Sequence, residues 1–179
     1  ALAYGAVHPE RVSGIALIGC GTFDEGARAI FHAAVARRLE GELGERLRRI
    51  DREAREHAQP RDEVLARKAE VFESLMSCDL LPDDASFVDL DAQGHEESWN
   101  DMIERQGDGT YPACFARITA PVIMLHGDVD PHPGTATRDT LARHIPQLEY
   151  RSWAACGHTP WRERRVREEF LQELTAWLT

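Results

Sequence analysis

Lysine is almost absent from this 179-residue chain: Lys68 is the only one, so nearly all of its 21 basic side chains are arginine. Positive charge as a whole is scarce, with 31 acidic residues and a net charge of -10. That excludes the basic surface that non-specific nucleic-acid binding or anionic-membrane binding requires. Cysteine is sparse too. Cys20, Cys78, Cys114 and Cys156 include no C-x-x-C pair, so nothing supports a zinc knuckle or a dithiol redox motif. No apolar run reaches membrane-spanning length, and no export signal precedes the first structured segment. Free thiols without an export signal point to the cytoplasm. What remains, 42% hydrophobic and 29% charged, is the composition of a soluble globular domain.

The patterning alternates between strand and helix. ALAYGAVHPERV starts with small apolar residues at helical spacing, and Pro9 ends the helix at His8. Ile15, Ala16, Leu17 and Ile18 form a short apolar run closed by glycines, the pattern of a strand buried on both faces. From Phe23 the texture becomes helical and rich in Arg and Glu. Phe31, Val35 and Leu39 form one stripe, Leu43, Leu47 and Ile50 a second, and Val64, Val71 and Leu75 a third. LLPDDASFVDLDAQG, residues 80–94, reads as loop, and the next helix is expected from about Glu96. A second buried strand spans residues 121–126, a helix runs to Pro146, and a third strand covers 147–153. The last helix is expected over 163–178, with Val166, Phe170, Leu174 and Trp177 on one face. Strands separated by helices give a parallel sheet with right-handed crossovers. Active residues in such sheets lie beyond the carboxyl ends of the strands, here in GCGT, GDVDPHPG and AACGHTPW.

The stretch MLHGDVDPHPG places His126, Asp128, Asp130 and His132 at alternate positions, which raises the possibility of a metal site. Alternating side chains share a side only while the chain stays extended, and Gly127, Pro131 and Pro133 make this a turn. On that ground the four groups are not expected to converge. A carboxylate–imidazole pair is the other reading. His158, in Cys156-Gly157-His158, lies in the loop after the following strand, and loops at the same end of adjacent parallel strands meet. Asp130 would then orient His158 and stabilise its imidazolium, leaving the other ring nitrogen as general base. On spacing alone the bland alternative, a loop histidine and a turn aspartate capping the next helix, stands equally.

ALAYGAVHPERVSGIALIG, APVIMLHGDVDPHPG and CGHTPW with its amphipathic last helix together resemble the C-terminal half of an α/β-hydrolase. The subgroup most similar is the cap-bearing, proline-iminopeptidase-like hydrolases. The resemblance covers residues 1–22 and about 118–179. It implies an α/β fold: the C-terminal part of a doubly wound parallel sheet, three strands, with an inserted helical cap. The core would be residues 1–22 and 116–179, and the cap 23–115. It further implies that Asp130, in Gly127-x-x-Asp130, is the triad acid and His158 the triad base. Asp128 is a turn former in this reading, His126 a core or supporting group, and His132 either lines the cleft or faces water.

The chain departs from that family at the nucleophile. None of Ser13, Ser74, Ser77, Ser86, Ser98 and Ser152 sits in G-x-S-x-G. The family pattern places that elbow just before Ala1, so the segment is expected to lack its N-terminal half and to be inactive alone. Cys20, in Gly19-Cys20-Gly21, follows the wrong strand to replace it and reads as an ordinary buried cysteine. The first strand would have one unpaired apolar edge, open to the missing half of the fold or to a second copy of the chain.

The functional expectation is therefore a hydrolase of ester or amide bonds using a Ser-His-Asp triad. The alternatives are a non-catalytic remnant or interaction domain of the same fold, or a dehalogenase or epoxide hydrolase with an upstream Asp nucleophile. The substrate is a small molecule or short peptide, and no cofactor, metal, nucleic acid or membrane is implied. Trp161 walls the pocket or packs on the last helix. Glu96 and Glu97 near Trp99, with Glu104, hold a substrate ammonium in an aminopeptidase version and are otherwise surface acids.

Overall fold

The computed structural model describes residues 1–82 and 90–179. Three parallel strands form one sheet in the order β1-β2-β3: β1 (Ile15–Ile18), β2 (Val122–Gly127) and β3 (Leu148–Trp153). Ile15 pairs with Val122 and Ile18 with Leu125, while Val122 pairs with Leu148 and Gly127 with Trp153. All three strands therefore end at the same edge of the sheet.

β2 occupies the centre because it can. Each of its residues is buried, and Met124 and Leu125 have no solvent exposure at all. Burial of side chains this size contributes about 1.5–3 kcal/mol each. One core lies on the face of Ile15, Leu17, Val122 and Met124, joined by Leu2 and Ala6 of α1 (Leu2–Val7), by Phe115 and by Leu141. The other holds Ile123, Leu125, Trp153 and Phe170. The expectation that β1 is buried on both faces holds for one of them. Ile15 and Leu17 are buried, whereas Ala16 and Ile18 are only half-covered against the second core. Among the described residues β1 pairs only with β2, so its far edge is open.

The block between β1 and β2 is helical: α2 (Glu25–Arg38), α3 (Glu42–His57), α4 (Arg61–Met76), α5 (Ala92–Gly107) and a one-turn α6 (Thr110–Ala113). Asp24 caps α2 by accepting the Ala27 N–H at 2.8 Å, and Arg37 and Arg38 sit in its last turn, where the helix dipole favours cations. The sequence stripes become inter-helix contacts, with Ile50 of α3 and Val71 and Leu75 of α4 fully covered. The Lys68–Asp51 pair at 2.6 Å and the Arg67–Glu53 pair tie the same two helices at their rim.

Two helix starts differ from the sequence expectation. α5 starts at Ala92, not near Glu96, because Asp91 caps it by accepting the Gly94 N–H at 2.9 Å. Part of the stretch read as loop, residues 83–89 with Ser86 among them, lies outside the described residues. The last helix, α8 (Arg167–Leu178), starts four residues after Glu163, because Glu163 is engaged elsewhere. Between β2 and β3 lies α7 (Gly134–Ala142), whose Thr140 hydroxyl donates to Asp24 at 2.6 Å and so joins α7 to the cap of α2. No helix among the described residues is long and apolar enough to cross a membrane.

Candidate active site

The loops after the three strands meet. Asp128 N–H donates to Trp153 O at 3.0 Å and Val129 N–H to Cys156 O at 2.9 Å, which stitches the loop after β2 to the loop after β3. Gly127 permits this approach: a Cβ there would lie 2.2 Å from the Cys156 carbonyl oxygen. The loop after β1 joins through Gly19, whose left-handed backbone lies directly beneath His158.

Asp130 sits where these loops join, its side chain without solvent exposure. Oδ1 accepts the His132 backbone N–H at 2.9 Å and His132 Nδ1–H at 2.8 Å. Oδ2 accepts His158 Nδ1–H at 2.7 Å. The sequence offered a turn aspartate or a histidine-orienting acid as alternatives, and one side chain does both. Oδ1 closes a side-chain turn over Pro131, while Oδ2 faces His158. It does not cap α7, whose N-cap position is Pro133. Burial pushes the Asp130 carboxyl up, but the hydrogen bonds from His132 and His158 together outweigh it and hold it well below the usual carboxylate range. The carboxylate is thus charged at neutral pH.

The expectation that the alternating polar groups would not converge fails for three of the four. His126 is buried, and its Nε2–H donates to the His132 carbonyl at 3.0 Å, with Nε2 3.6 Å from Asp130 Oδ2. Burial lowers its pKa, which keeps it neutral. Only Asp128 points to solvent. The turn that was expected to scatter these groups instead folds His132 back over Asp130. The asparagine-like turn signal Asp130-Pro131-His132 is what could have revealed it.

His132 is also the link to the helical block. Its ring stacks on Phe31 of α2, with centroids 4.2 Å apart and planes 14° from parallel, and lies 5.0 Å from the His158 ring. From the same helix, the Arg38 guanidinium donates to the carbonyls of Val129 and Leu75. Asp130, His132 and His158 each bring a ligand-capable atom within 4.8 Å of the others.

His158 is held from behind. Its N–H donates to Met76 O at 2.9 Å. Next to it Glu163, with no solvent exposure, accepts the N–H groups of Gly157 at 2.9 Å, Cys78 at 2.9 Å and Asp79 at 2.7 Å. One carboxylate therefore ties the chain leaving α4 to the loop that carries the imidazole. Sequence reasoning missed Glu163 by placing it in the last helix.

The remaining candidates lie as follows. Cys20 packs against the first core, and burial, with the Asp130 carboxylate, pushes its thiol up to about 12, so it is not the thiolate a nucleophile requires. Trp161 is exposed on one side and leans on Phe170 of α8, with ring centroids 6.3 Å apart. Trp99 is exposed on α5. Glu96 pairs with Arg61, and Glu97 accepts from Gln93 at 2.7 Å, so both carboxylates are engaged on the surface. Two grooves, on α3 and between α3 and α4, touch neither Asp130 nor His158.

No family model matches the chain, and no curated protein does. Solved structures do. A highly thermostable carboxyl esterase from Bacillus coagulans superposes with a TM-score of 0.54 at 15% identity, over 99% of this chain and 60% of its own. The proline iminopeptidase of Mycobacterium smegmatis superposes with a TM-score of 0.51 at 16% identity, over 99% and 60%. The chain carries part of an α/β-hydrolase fold. It spans about 60% of the length of these α/β-hydrolase structures, and at such identity the likeness establishes the fold alone. In its α/β-hydrolase setting the Asp130–His158 pair lies beyond the carboxyl ends of β2 and β3, where this class of sheet places its chemistry.

Proposed function

We propose that the chain contributes the acid and the base of a Ser-His-Asp hydrolase that cleaves ester or amide bonds. The observation that carries the reading is the 2.7 Å hydrogen bond from His158 Nδ1–H to the buried Asp130 carboxylate. That bond fixes the tautomer and leaves Nε2 as the basic nitrogen, on a side chain that keeps 31% of its surface exposed. Nε2 takes the proton of a serine hydroxyl as its oxygen attacks the substrate carbonyl, and returns it to the departing alcohol or amine. In the second half Nε2 takes a proton from water, which attacks the acyl-enzyme and releases the acid and the serine. Asp130 stays ionised throughout and stabilises the imidazolium.

No G-x-S-x-G occurs in the sequence, so the serine in this proposal lies in protein outside these 179 residues, packed at the open edge of β1. The helices between β1 and β2 serve as the cap, consistent with the contacts of Phe31 and Arg38 to the loop bearing Asp130. A carboxyl esterase and a proline iminopeptidase are both structural neighbours, so the reading stops at the reaction and does not choose between ester and amide.

The test is covalent labelling of the longer encoded protein with a fluorophosphonate. Labelling of one serine in a G-x-S-x-G upstream of Ala1, slowed by His158→Ala, is the expected result. An upstream sequence without that motif, or labelling indifferent to His158→Ala, would overturn the proposal in favour of a non-catalytic domain. An aspartate at the elbow would redirect it to halide or epoxide chemistry.

A further inference from the structure

We propose that Asp130, His132 and His158 also form a binding site for a divalent transition-metal ion of the zinc class, mutually exclusive with the hydrogen bonds they make to one another. The inference uses the residues of the proposed hydrolytic site but does not depend on that chemistry.

One carboxylate oxygen and two imidazole nitrogens are the donor set of an N/O site with three protein ligands and an open position for water; they stand within 4.8 Å of one another and draw in to reach zinc bonds of about 2.0–2.2 Å. A lone carboxylate is too few oxygens for calcium or magnesium. Two of the three ligands are held in place before any ion arrives. Asp130 is charged, buried and fixed by its own turn, and the His132 ring is clamped in plane against Phe31 with only 11% of its side chain exposed. His158 is the most open of the three and provides both the entry path and the movement. Its Nδ1 and that of His132 approach opposite oxygens of one carboxylate, at 2.7 and 2.8 Å. The proposed site requires a pivot of the His158 ring toward His132 to bring both nitrogens to one point.

The exchange balances without an added reagent. Each neutral ring moves its proton from Nδ1 to Nε2 through solvent, two hydrogen bonds to Asp130 break, and two nitrogen–metal bonds and one oxygen–metal bond form. His126 is not a ligand, because its Nε2–H is committed to the His132 carbonyl. With His158 Nδ1 on the metal, Asp130 no longer orients the ring, so an occupied site would block the proposed hydrolysis.

Calorimetric titration of zinc chloride into the longer encoded protein tests this. Cys78→Ser is used as background, because that thiol is exposed. One zinc per chain is expected, and cobalt(II) in its place should give visible bands without intense thiolate absorption. His158→Ala and His132→Ala should each weaken zinc binding at least about tenfold. If His132→Ala does not fold, His158→Ala, at the most exposed ligand, decides alone. Absence of saturable binding below about 1 mM, binding unaffected by His158→Ala, or thiolate–cobalt bands would overturn the proposal. None of these readouts involves turnover, so failure here leaves the hydrolase reading untouched, and the reverse holds.

Discussion

His158 rests directly on Gly19: a Cβ at position 19 would lie 2.3 Å from the His158 carbonyl oxygen and 3.0 Å from its Nδ1. Gly19 also has a φ of +56°, in the region where side chains are strained, while its N–H extends the sheet by donating to Leu125 O at 3.1 Å. The nearest atom is backbone, so the His158 loop itself would have to shift. Gly19→Ala is therefore expected to cost at least about 1–3 kcal/mol, from strain and displacement of the His158 loop. Urea unfolding of the two proteins measures it, and a loss under about 0.5 kcal/mol would show that the loop adjusts freely.

Glu163 makes a different demand. Three backbone N–H groups from two separate segments converge on its buried carboxylate, with hydrogen bonds of 2.7–2.9 Å. Glu163→Gln keeps the volume but replaces one acceptor oxygen with a donor, so at least one buried N–H loses its partner. The expected cost is about 2 kcal/mol or more. Hydrogen exchange should show either the Asp79 amide, alone on Oε2, or the Gly157 and Cys78 amides, which share Oε1, opening faster in the variant, and unchanged protection of all three would remove Glu163 from this role.

The sequence made the sheet legible because β1 and β2 are short apolar runs bounded by glycine and proline, and the helical stripes predicted buried faces on α3 and α4. Asp130 and His158 were legible as a pair through their position after successive strands together with the motifs that resemble an α/β-hydrolase. What escaped was set by tertiary hydrogen bonding. Glu163 has the local pattern of a helix start, yet three distant N–H groups draw it inward. His132 looked dispersed because periodicity describes extended chain, and a side-chain turn at Asp130 reverses the direction at once.

Asp24 should make the attachment of α2 to α7 sensitive to acid. Burial pushes its carboxyl up, but hydrogen bonds from Thr140 and from the Ala27 and Gly26 amides, with Arg143 nearby, hold it in sum below its ordinary value of 3.8. A depressed folded-state pKa contributes stability that is present above the unfolded value and is lost as pH falls through the folded one. Asp24→Asn keeps an acceptor for the cap but loses the charge, so it should be less stable than the parent at pH 7 by about 0.3–1 kcal/mol. The gap should narrow as pH drops below about 4. Thermal melts across that range decide, and a gap independent of pH would mean the charge of Asp24 does not matter.

The four cysteines are all unpaired, and they should separate sharply by reactivity. Only a thiolate attacks a disulfide reagent, so the rate follows both exposure and thiol pKa. Cys156 is fully buried, and burial, followed by the Glu163 carboxylate, pushes its thiol up to about 12. Cys20 reaches about 12 through burial and the charge of Asp130. Cys114 is raised by burial as well. Cys78 is exposed and should react with an aromatic disulfide at pH 8 within minutes, while Cys20 and Cys156 wait for unfolding. Because both slow thiols owe part of their shift to carboxylates at the site, Asp130→Asn should speed Cys20 more than it speeds Cys114. Equal acceleration of the two would instead report general loosening of the fold, and rapid labelling of Cys20 in the parent chain would reopen it as a nucleophile.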